Sequence, residues 1–346
     1  MGSNSVSRLL KKRNTCGEIE LDKFEKLKET SLVYGTNAEC WFRFDDARIL
    51  FKFYENNLEA YGEVLYSKVA QKYGINCAEY DFASYGGESG TISYDVAFGS
   101  DTIAIDGLTM VTRYNNNNLP DIITKRSNNI EVISMLNKKY NNYEELTKLF
   151  EMRYPDDVES LQKELIEIFI LDVLFDHVDK NLWNIMVVTD LYGNNAHLVS
   201  IDSSHIACLY RGYEYIKRAV SSLLSSDGTI TIEDYLQGGV YGYDVDVKDR
   251  DYNPCKDLIE FYYNCDETQR DMIVKLVKDI NIDECLEEIR KIYKVEPIIE
   301  TWVSAVVNSR KSFLLKKFYH INDNYKEEHG KKNFNLRILK KNKSNK

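Results

Sequence analysis

Three polar residues near the middle of the chain have the types and the spacing of a phosphotransferase catalytic loop. Asp179 and Asn184 lie five positions apart, and Asp202 follows the second of two short apolar runs that come after them. In kinases the aspartate of such a loop accepts the proton of the acceptor hydroxyl, and the asparagine holds a magnesium ion. Magnesium on nucleotide phosphates takes one or two hard oxygen ligands from the protein. We therefore predict Asp179 as the catalytic base, and Asn184 and Asp202 as the metal ligands.

The same spacing also occurs three residues earlier, between Asp176 and Asn181. His177 favours the later pair, because protein kinase loops place a histidine two residues before the catalytic aspartate. In addition, Asn184 directly precedes an apolar strand, which can direct its side chain into a cleft, whereas Asn181 lies in mid-loop. We assign the site to the later pair and expect His177 to orient the loop through hydrogen bonds. The alternative is a polar loop that only caps the buried helix before it.

Two lysines complete the predicted phosphate-binding machinery. Lys52 interrupts an otherwise apolar strand, where a charge requires a partner, and kinases use a lysine at this place to hold the α- and β-phosphates of ATP. Its carboxylate partner belongs on the helix that follows, where Glu63 is the preferred residue and Glu59, one turn earlier, is the alternative. Lys180, next to the catalytic aspartate, is the candidate that neutralises charge on the transferred phosphoryl group.

The predicted phosphate-binding loop carries a single glycine. Gly35, Thr36 and Asn37 lie between two predicted strands, 31–35 and 40–44, without the glycine-rich pattern GxGxxG. Consecutive backbone amides in such a turn can still cradle a phosphate as a nest. An ordinary β-hairpin explains the same residues equally well.

Strand patterns fill the first part of the chain, and helical patterns dominate the rest. They predict a meander of strands around one amphipathic helix, 58–72, then a buried helix, 158–176, and a two-stranded hairpin, 185–201. The segment 99–104 has the composition of a loop. The resulting fold class is α+β, with a small β-rich N-terminal lobe that holds one helix and a larger, mostly helical C-terminal lobe. The predicted parts of the chain are an N-terminal extension at 1–24, an N-lobe at 25–98, a C-lobe at 99–320 and a basic, flexible tail at 321–346.

Composition excludes transmembrane and conventionally secreted proteins. Hydrophobic residues make up 43% of the 346 residues, which is enough for a large core, yet no apolar run is long enough to span a bilayer. The first 14 residues lack the apolar segment of a secretory signal. A cytoplasmic protein is therefore expected, with delivery into a host cell without such a signal as the alternative.

The cysteines and the charge distribution argue against two further kinds of site, a structural zinc site and a specific nucleic-acid-binding surface. The seven cysteines show no C-x-x-C spacing, which indicates reduced thiols and makes a structural zinc site unexpected. The net charge is −10, and twelve basic residues gather after residue 309. An acidic body with a basic tail predicts no specific binding of nucleic acid.

Four segments, in this order along the chain, resemble the HipA-like serine/threonine kinases, an atypical branch of the protein kinase fold. The family's serine-bearing phosphate loop corresponds to Ser31 to Gly35, and its lysine strand to the strand of Lys52. Its glutamate helix corresponds to Glu63 to Gly74, and its catalytic loop with the metal aspartate to Asp179 to Asn184 with Asp202. The resemblance covers about residues 25–320. The size is similar to that of compact members without the extra N-terminal subdomain, which include kinases translocated into host cells.

The resemblance implies a bilobal protein-kinase-like fold and transfer of phosphate from ATP, with Mg²⁺, to serine or threonine of a protein substrate. It also implies self-phosphorylation, for which Ser31 is the matching position. The chain departs from the family at two places. Lys180 and Asn181 stand where the family has Arg-His, and Ser203 and Ser204 stand where protein kinases have Phe-Gly after the metal aspartate.

Two other classes of protein fit parts of the pattern. A small-molecule kinase of the aminoglycoside or choline type shares the loop spacing but usually has glycine where Val178 stands, and a phosphoinositide kinase has a similar loop in a larger chain. A pseudokinase scaffold, whose basic tail binds a membrane surface, nucleic acid or an acidic partner, is the non-enzymatic alternative. Every catalytic position carries a competent residue, which argues against a pseudokinase. No feature of the sequence points to a particular oligomeric state.

Overall fold

The architecture comes from a computed structural model, which describes residues 13–28, 39–44, 47–96, 101–114, 136–137, 139–141, 143–225, 232 and 254–343. A six-stranded sheet with one helix forms the N-terminal lobe, and helices around a small three-stranded sheet form the C-terminal lobe. The predicted α+β class with a β-rich first lobe is confirmed.

Six strands build the N-terminal sheet. From β1 to β6 they span Ile19–Glu20, Glu25–Lys26, Glu39–Phe44, Ala47–Phe53, Tyr80–Tyr85 and Glu88–Tyr94. Their order across the sheet is β1, β5, β6, β4, β3, β2, and all neighbours are antiparallel except β1 and β5. β1 lies within the predicted N-terminal extension, so this segment contributes to the sheet. The predicted strand 31–35 lies outside the described residues, and the domain boundaries stay a prediction.

Alternation along β4 sends its side chains to opposite faces of the sheet. Ile49 and Phe51 pack with Phe42 of β3 in an apolar cluster on one face. Lys52 therefore points to the other face, where the helix Asn57–Lys72 (α1) packs against β5 and β6. The register of the sheet thus decides that the one lysine in this apolar strand faces the interior of the lobe.

Gly90 of β6 is required by the close approach of β6 to β4. It lies opposite Phe53, and a Cβ atom at this position would lie 2.0 Å from the carbonyl oxygen of Lys52. Real side chains do not tolerate such a contact with backbone, so the two strands would have to separate beside the lysine.

Gly90→Ala is therefore expected to lower the free energy of unfolding by about 2 to 3 kcal/mol, as overpacking of a fixed interior does. Urea unfolding followed by circular dichroism measures the change. Glu88→Ala, at an exposed position of the same strand, is the matched control and should change stability by less than about 0.5 kcal/mol. Equal stability of Gly90→Ala and wild type would mean that β6 does not pack this closely on β4.

α1 is fixed between the sheet and the C-terminal lobe. Asn56 caps the helix by accepting a hydrogen bond from Leu58 N at 3.1 Å, and its Nδ2 donates to the carbonyl oxygen of Leu209 at 2.9 Å. Inside the helix, Gly62 permits a close approach, because a Cβ there would lie 3.0 Å from the carbonyl oxygen of Ser204. The helix that carries the two candidate glutamates is therefore packed against the segment that follows Asp202.

Eight further helices occur among the described residues. From α2 to α9 they span Gly107–Tyr114, Tyr143–Arg153, Val158–Leu174, Tyr213–Ser225, Pro254–Asn264, Glu267–Asp279, Ile282–Arg290 and Pro297–Lys343. α4 is buried along its second half on all sides, as its apolar pattern predicts. α9 continues into the segment predicted as the basic tail. Within the described ranges, no helix combines the length and the apolar character needed to cross a bilayer.

The small sheet of the C-terminal lobe has one strand more than the sequence predicts. Strands Thr102–Asp106 (β7), Ile185–Asp190 (β8) and His197–Ser200 (β9) pair antiparallel in this order. The prediction of a loop at 99–104 is wrong for its second half, which forms most of β7. β7 has too few alternating residues to be recognised alone, and it becomes a strand by pairing with β8, whose residues lie 80 to 88 positions later.

Candidate active site

The side chains of Lys52, Glu63 and Asp202 meet where the two lobes come together, a place called the cleft below. Lys52 Nζ donates to Glu63 Oε1 and to Asp202 Oδ1, each at 3.2 Å. β4 supplies the lysine, α1 supplies the glutamate, and the aspartate follows β9, so one ammonium group links three elements. Of the two candidate glutamates of α1, Glu63 is the one that contacts the lysine.

Two hydroxyl groups hold Glu63 in place. Tyr54 OH and Thr91 Oγ1 donate to Glu63 Oε2 at 2.6 and 2.7 Å. Burial raises the pKa of Glu63, but three donors, including the ammonium of Lys52, stabilise its carboxylate form. Burial also opposes the charge of Lys52, yet the carboxylates of Asp202 and Glu63 raise its pKa well above the ordinary value. The buried Lys52 and Glu63 and the partly exposed Asp202 therefore form one cluster of ionisable groups.

The catalytic-loop segment contains Asp179 and Asn184 in different surroundings. Asp179 keeps 57% of its side chain exposed at the cleft. The 3₁₀ turn Leu182–Asn184 comes next, capped by Asn181, whose Oδ1 accepts from Trp183 N at 2.9 Å. Asn184 Nδ2 donates to the carbonyl oxygen of Asp179 at 2.8 Å, which fixes the amide against the loop.

The competing pair with the same spacing has other partners. Asp176 is buried and forms an ion pair of 2.7 Å with Arg310 of α9. Asn181 caps the 3₁₀ turn, as described above. Both side chains are thus used for holding the loop, which leaves the later aspartate as the accessible carboxylate of the two.

Asn184 and Asp202 lie beside each other because of strand pairing. Ile185 pairs with Ser200, and Ile201 N donates to the carbonyl oxygen of Asn184 at 3.0 Å. Asp202 has a left-handed backbone with φ of 53°, and its N–H donates to Tyr80 OH at 3.1 Å. The ion pair with Lys52 lowers the pKa of Asp202, which favours the carboxylate form of this side chain.

This donor set fits magnesium. With its nitrogen engaged, the side chain of Asn184 offers Oδ1, and Asp202 offers Oδ2 because Oδ1 accepts from the lysine. In the described part of the chain, no group of three or more His, Cys, Asp or Glu side chains could hold a metal by itself. A site of one amide and one carboxylate suits an ion that completes its shell with phosphates and waters.

Lys180 lies in the interior, away from the open part of the cleft. Its Nζ donates to Ser200 Oγ at 2.5 Å and lies 3.8 Å from Asp172 Oδ2, and all three side chains are buried. Asp172 also contacts His177 Nδ1 at 3.0 Å and accepts from Tyr66 OH at 2.7 Å. His177, Lys180 and Asp172 thus form a buried polar cluster beneath the catalytic loop, and the ammonium of Lys180 belongs to it.

Sequence reasoning missed two contributors to the site. Asp172 appears in the sequence only as an interruption of an apolar run, although a charge within a helix that is buried on all sides is itself a signal for a partner. His205, taken alone, has no such signal, yet its ring lies between Glu59 and Asp179. The predicted phosphate-loop residues Ser31, Gly35, Thr36 and Asn37 lie outside the described residues.

Comparison with solved structures identifies the fold. The Helicobacter pylori kinase CtkA, described as proinflammatory, matches with a TM-score of 0.61 at 11% identity, over 88% of this chain and 98% of that chain. HipA of Shewanella oneidensis MR-1, in a complex with HipB and operator DNA, matches with a TM-score of 0.39 at 11% identity, over 86% of this chain and 67% of that chain. No protein-family model and no curated protein matches the chain. The likeness to CtkA shows that this chain has the fold of that kinase, in agreement with the bilobal kinase-like fold that its sequence motifs predict.

Proposed function

We propose that this chain is an ATP- and magnesium-dependent serine/threonine protein kinase of the HipA-like type that phosphorylates itself. The observation that carries the proposal is the double contact of Lys52, whose Nζ joins Glu63 of α1 to Asp202 after β9. Kinases use a lysine held by a helix carboxylate, close to a metal-binding aspartate, to grip the phosphates of ATP. The CtkA-like fold supplies the two lobes between which such a site forms.

In the proposed reaction, the oxygen of a serine or threonine hydroxyl attacks the γ-phosphorus of ATP. The bond from this phosphorus to the bridging oxygen breaks, ADP leaves, and Asp179 accepts the proton of the hydroxyl. Lys52 would bind phosphate oxygens, and the side-chain oxygens of Asn184 and Asp202 would hold a magnesium ion. Magnesium, when bound there, neutralises charge on the β- and γ-phosphates.

The surroundings of Asp179 suit a base. Partial removal from water in the cleft raises its pKa above the ordinary value, and the nearby His205 opposes this rise. A carboxylate whose pKa is raised is a better proton acceptor than a free aspartate.

For Lys180 the contacts favour a role in positioning. Neutralising a γ-phosphoryl group would require its ammonium to leave Ser200 and the neighbourhood of Asp172, where it is fully buried. We propose that Lys180 holds the catalytic loop from beneath, and that Lys52 and the metal carry the charge on the phosphates. Gly35, Thr36 and Asn37 are proposed to cradle phosphate through their backbone amides, and Ser31 to be the self-phosphorylated residue.

The acceptor is proposed to be a protein, with the cytoplasm as the place of action and a host cell as the alternative. The direct test is incubation of the purified protein with magnesium and γ-labelled ATP, followed by mapping of phosphorylated residues. We expect label on Ser31 or a neighbouring serine or threonine. Asp202→Ala should reduce labelling by about 10²- to 10³-fold, because it removes both a metal ligand and a partner of Lys52. Asp156→Ala, an exposed aspartate before α4, is the matched control and should label like wild type.

Three results would contradict the proposal in different ways. Consumption of ATP only when an aminoglycoside, choline or a phosphoinositide is added would identify a kinase of another acceptor class. Labelling that persists in Asp202→Ala would remove the assigned site. A wild-type protein that neither takes up label nor shows a higher melting temperature with ATP and magnesium would be a scaffold without catalysis.

A further inference from the structure

His205 contacts the catalytic loop and the N-terminal lobe at the same time. Its Nδ1 lies 3.6 Å from Asp179 Oδ2, and its Nε2 lies 3.4 Å from Glu59 Oε2 of α1. The backbone of His205 adds a third contact, because its carbonyl oxygen accepts from Val178 N at 3.2 Å. One residue in the segment after Asp202 therefore touches the loop through both its backbone and its side chain.

The groups around the imidazole are mostly acidic. Glu59 faces it from α1, Asp179 from the catalytic loop and Asp202 from the end of β9, while the ring of Tyr210 lies 5.1 Å away with its plane tilted. A neutral imidazole has a single N–H, so its other nitrogen would turn a lone pair toward a carboxylate. The protonated ring donates from both nitrogens. The contact with Glu59 and the nearby carboxylates of Asp179 and Asp202 accordingly raise the pKa of His205, against the effect of burial.

We propose that His205 is a positioning residue that bridges the carboxylates of Asp179 and Glu59 and so fixes the position of the catalytic loop relative to α1. Glu59 lies one helical turn before Glu63, the partner of Lys52, on the same helix. The bridge therefore connects the group that would accept the proton to the helix that orders the phosphate-binding lysine. This inference rests on the proposed function because it takes Asp179 as the base. The two contacts that form the bridge do not depend on that assignment.

Three substitutions of His205 separate the contacts made by its two ring nitrogens. His205→Ala removes both contacts, His205→Asn keeps an amide nitrogen near the place of Nδ1, and His205→Gln keeps one near the place of Nε2. We expect kcat to fall about 30- to 100-fold in His205→Ala, since a displaced catalytic group costs about this factor, with the KM for ATP changed less than about twofold. His205→Asn should regain at least about a third of the lost kcat, and Glu59→Gln should lower kcat less than His205→Ala does.

The matched control is His197→Ala. His197 is also a partly exposed histidine of the C-terminal lobe, on β9, and its ring contacts the carbonyl oxygen of Asn195. This variant should keep the wild-type kcat. Unchanged kcat in His205→Ala, with melting temperature showing that it is folded, would overturn the positioning role. A fall in kcat that His205→Asn fails to rescue would also contradict it.

Nuclear magnetic resonance tests the bridge without any assay of activity. We expect the ring of His205, assigned by its loss in His205→Asn, to titrate above the ordinary pKa of histidine and to shift down in Glu59→Gln. Because the folded pKa is raised, the bridge contributes fully below the unfolded value of about 6.5 and is lost as the pH rises through the folded value. Identical titration in wild type and Glu59→Gln would refute the bridge. Wild-type protein without phosphotransfer would instead contradict the proposed function, and the titration would still decide whether the bridge exists.

Discussion

Asp179→Asn is expected to lower the rate of phosphotransfer by about a thousandfold while leaving the binding of ATP and magnesium unchanged. An asparagine amide has nearly the shape of the carboxylate but cannot accept the hydroxyl proton, and general-base catalysis contributes about 10²- to 10⁴-fold. The side chain of Asp179 makes no contact with Lys52, and Asn184 is held by its carbonyl oxygen, which the substitution keeps. The initial rate of labelling measures the first quantity, and the shift of melting temperature with ATP measures the second.

Asp176→Asn is the matched control, because the two aspartates share the spacing to an asparagine. Asp176 is paired with the buried Arg310, so its substitution should lower stability rather than catalysis. At a temperature where this variant is folded, the rate per folded molecule should stay within about threefold of wild type. If Asp179→Asn kept more than a tenth of the activity, or if Asp176→Asn lost as much as Asp179→Asn, the base would be wrongly assigned.

The residues that the structure brings together at the cleft could be read from the sequence because few residue types can do this chemistry. Lys52 and Asp202 are 150 positions apart, yet their Nζ and Oδ1 atoms lie 3.2 Å from each other. An unexplained lysine in an apolar strand, and an aspartate at the end of another strand, each require a partner. The fold class followed from the same patterns, since alternation and helical periodicity report directly which face of an element is buried.

The direction of a side chain could not be read in this way. Spacing places Lys180 next to Asp179 but does not say whether its ammonium enters the cleft or the interior. Asp172, on α4, and Ser200, on β9, decide this by their contacts from below. These partners come from two elements whose packing the sequence pattern does not specify.

Contacts between distant segments escaped prediction for the same reason. His205 meets Glu59, which is 146 positions earlier, where α1 packs closely on the segment after Asp202, beside Gly62. β1 and β7 are short, and each becomes a strand through pairing with a partner far along the chain. Local periodicity carries too little information for elements of this kind, whose stability comes from the neighbour.

Asp172→Asn is expected to lower the free energy of unfolding by about 3 to 5 kcal/mol, because it leaves the buried ammonium of Lys180 without a negative partner. Burial opposes the charge of Asp172, yet Lys180, His177 and the hydroxyl of Tyr66 hold its pKa below the ordinary value. Its contribution is therefore present above the unfolded pKa of about 3.9 and is lost as the pH falls through the lower folded value. Urea unfolding at pH 7 measures the difference, and Tyr66→Phe, which removes one hydrogen bond to the same carboxylate, should cost only about 1 to 2 kcal/mol.

Adding Lys180→Met to Asp172→Asn decides between the two roles of the lysine. The double variant buries no unpaired charge, so it should be more stable than Asp172→Asn alone, by an amount that a double-mutant cycle gives directly. If Lys180 only positions the loop, the rate of phosphotransfer should rise together with stability, because Ser200, His177 and the loop keep their packing. Stability that returns without any return of activity would show instead that the ammonium acts on the phosphoryl group and must leave its buried site during the reaction. A double variant no more stable than Asp172→Asn would mean that Asp172 and Lys180 are not coupled energetically. The buried cluster of Asp172, His177 and Lys180 would then not be what orders the loop.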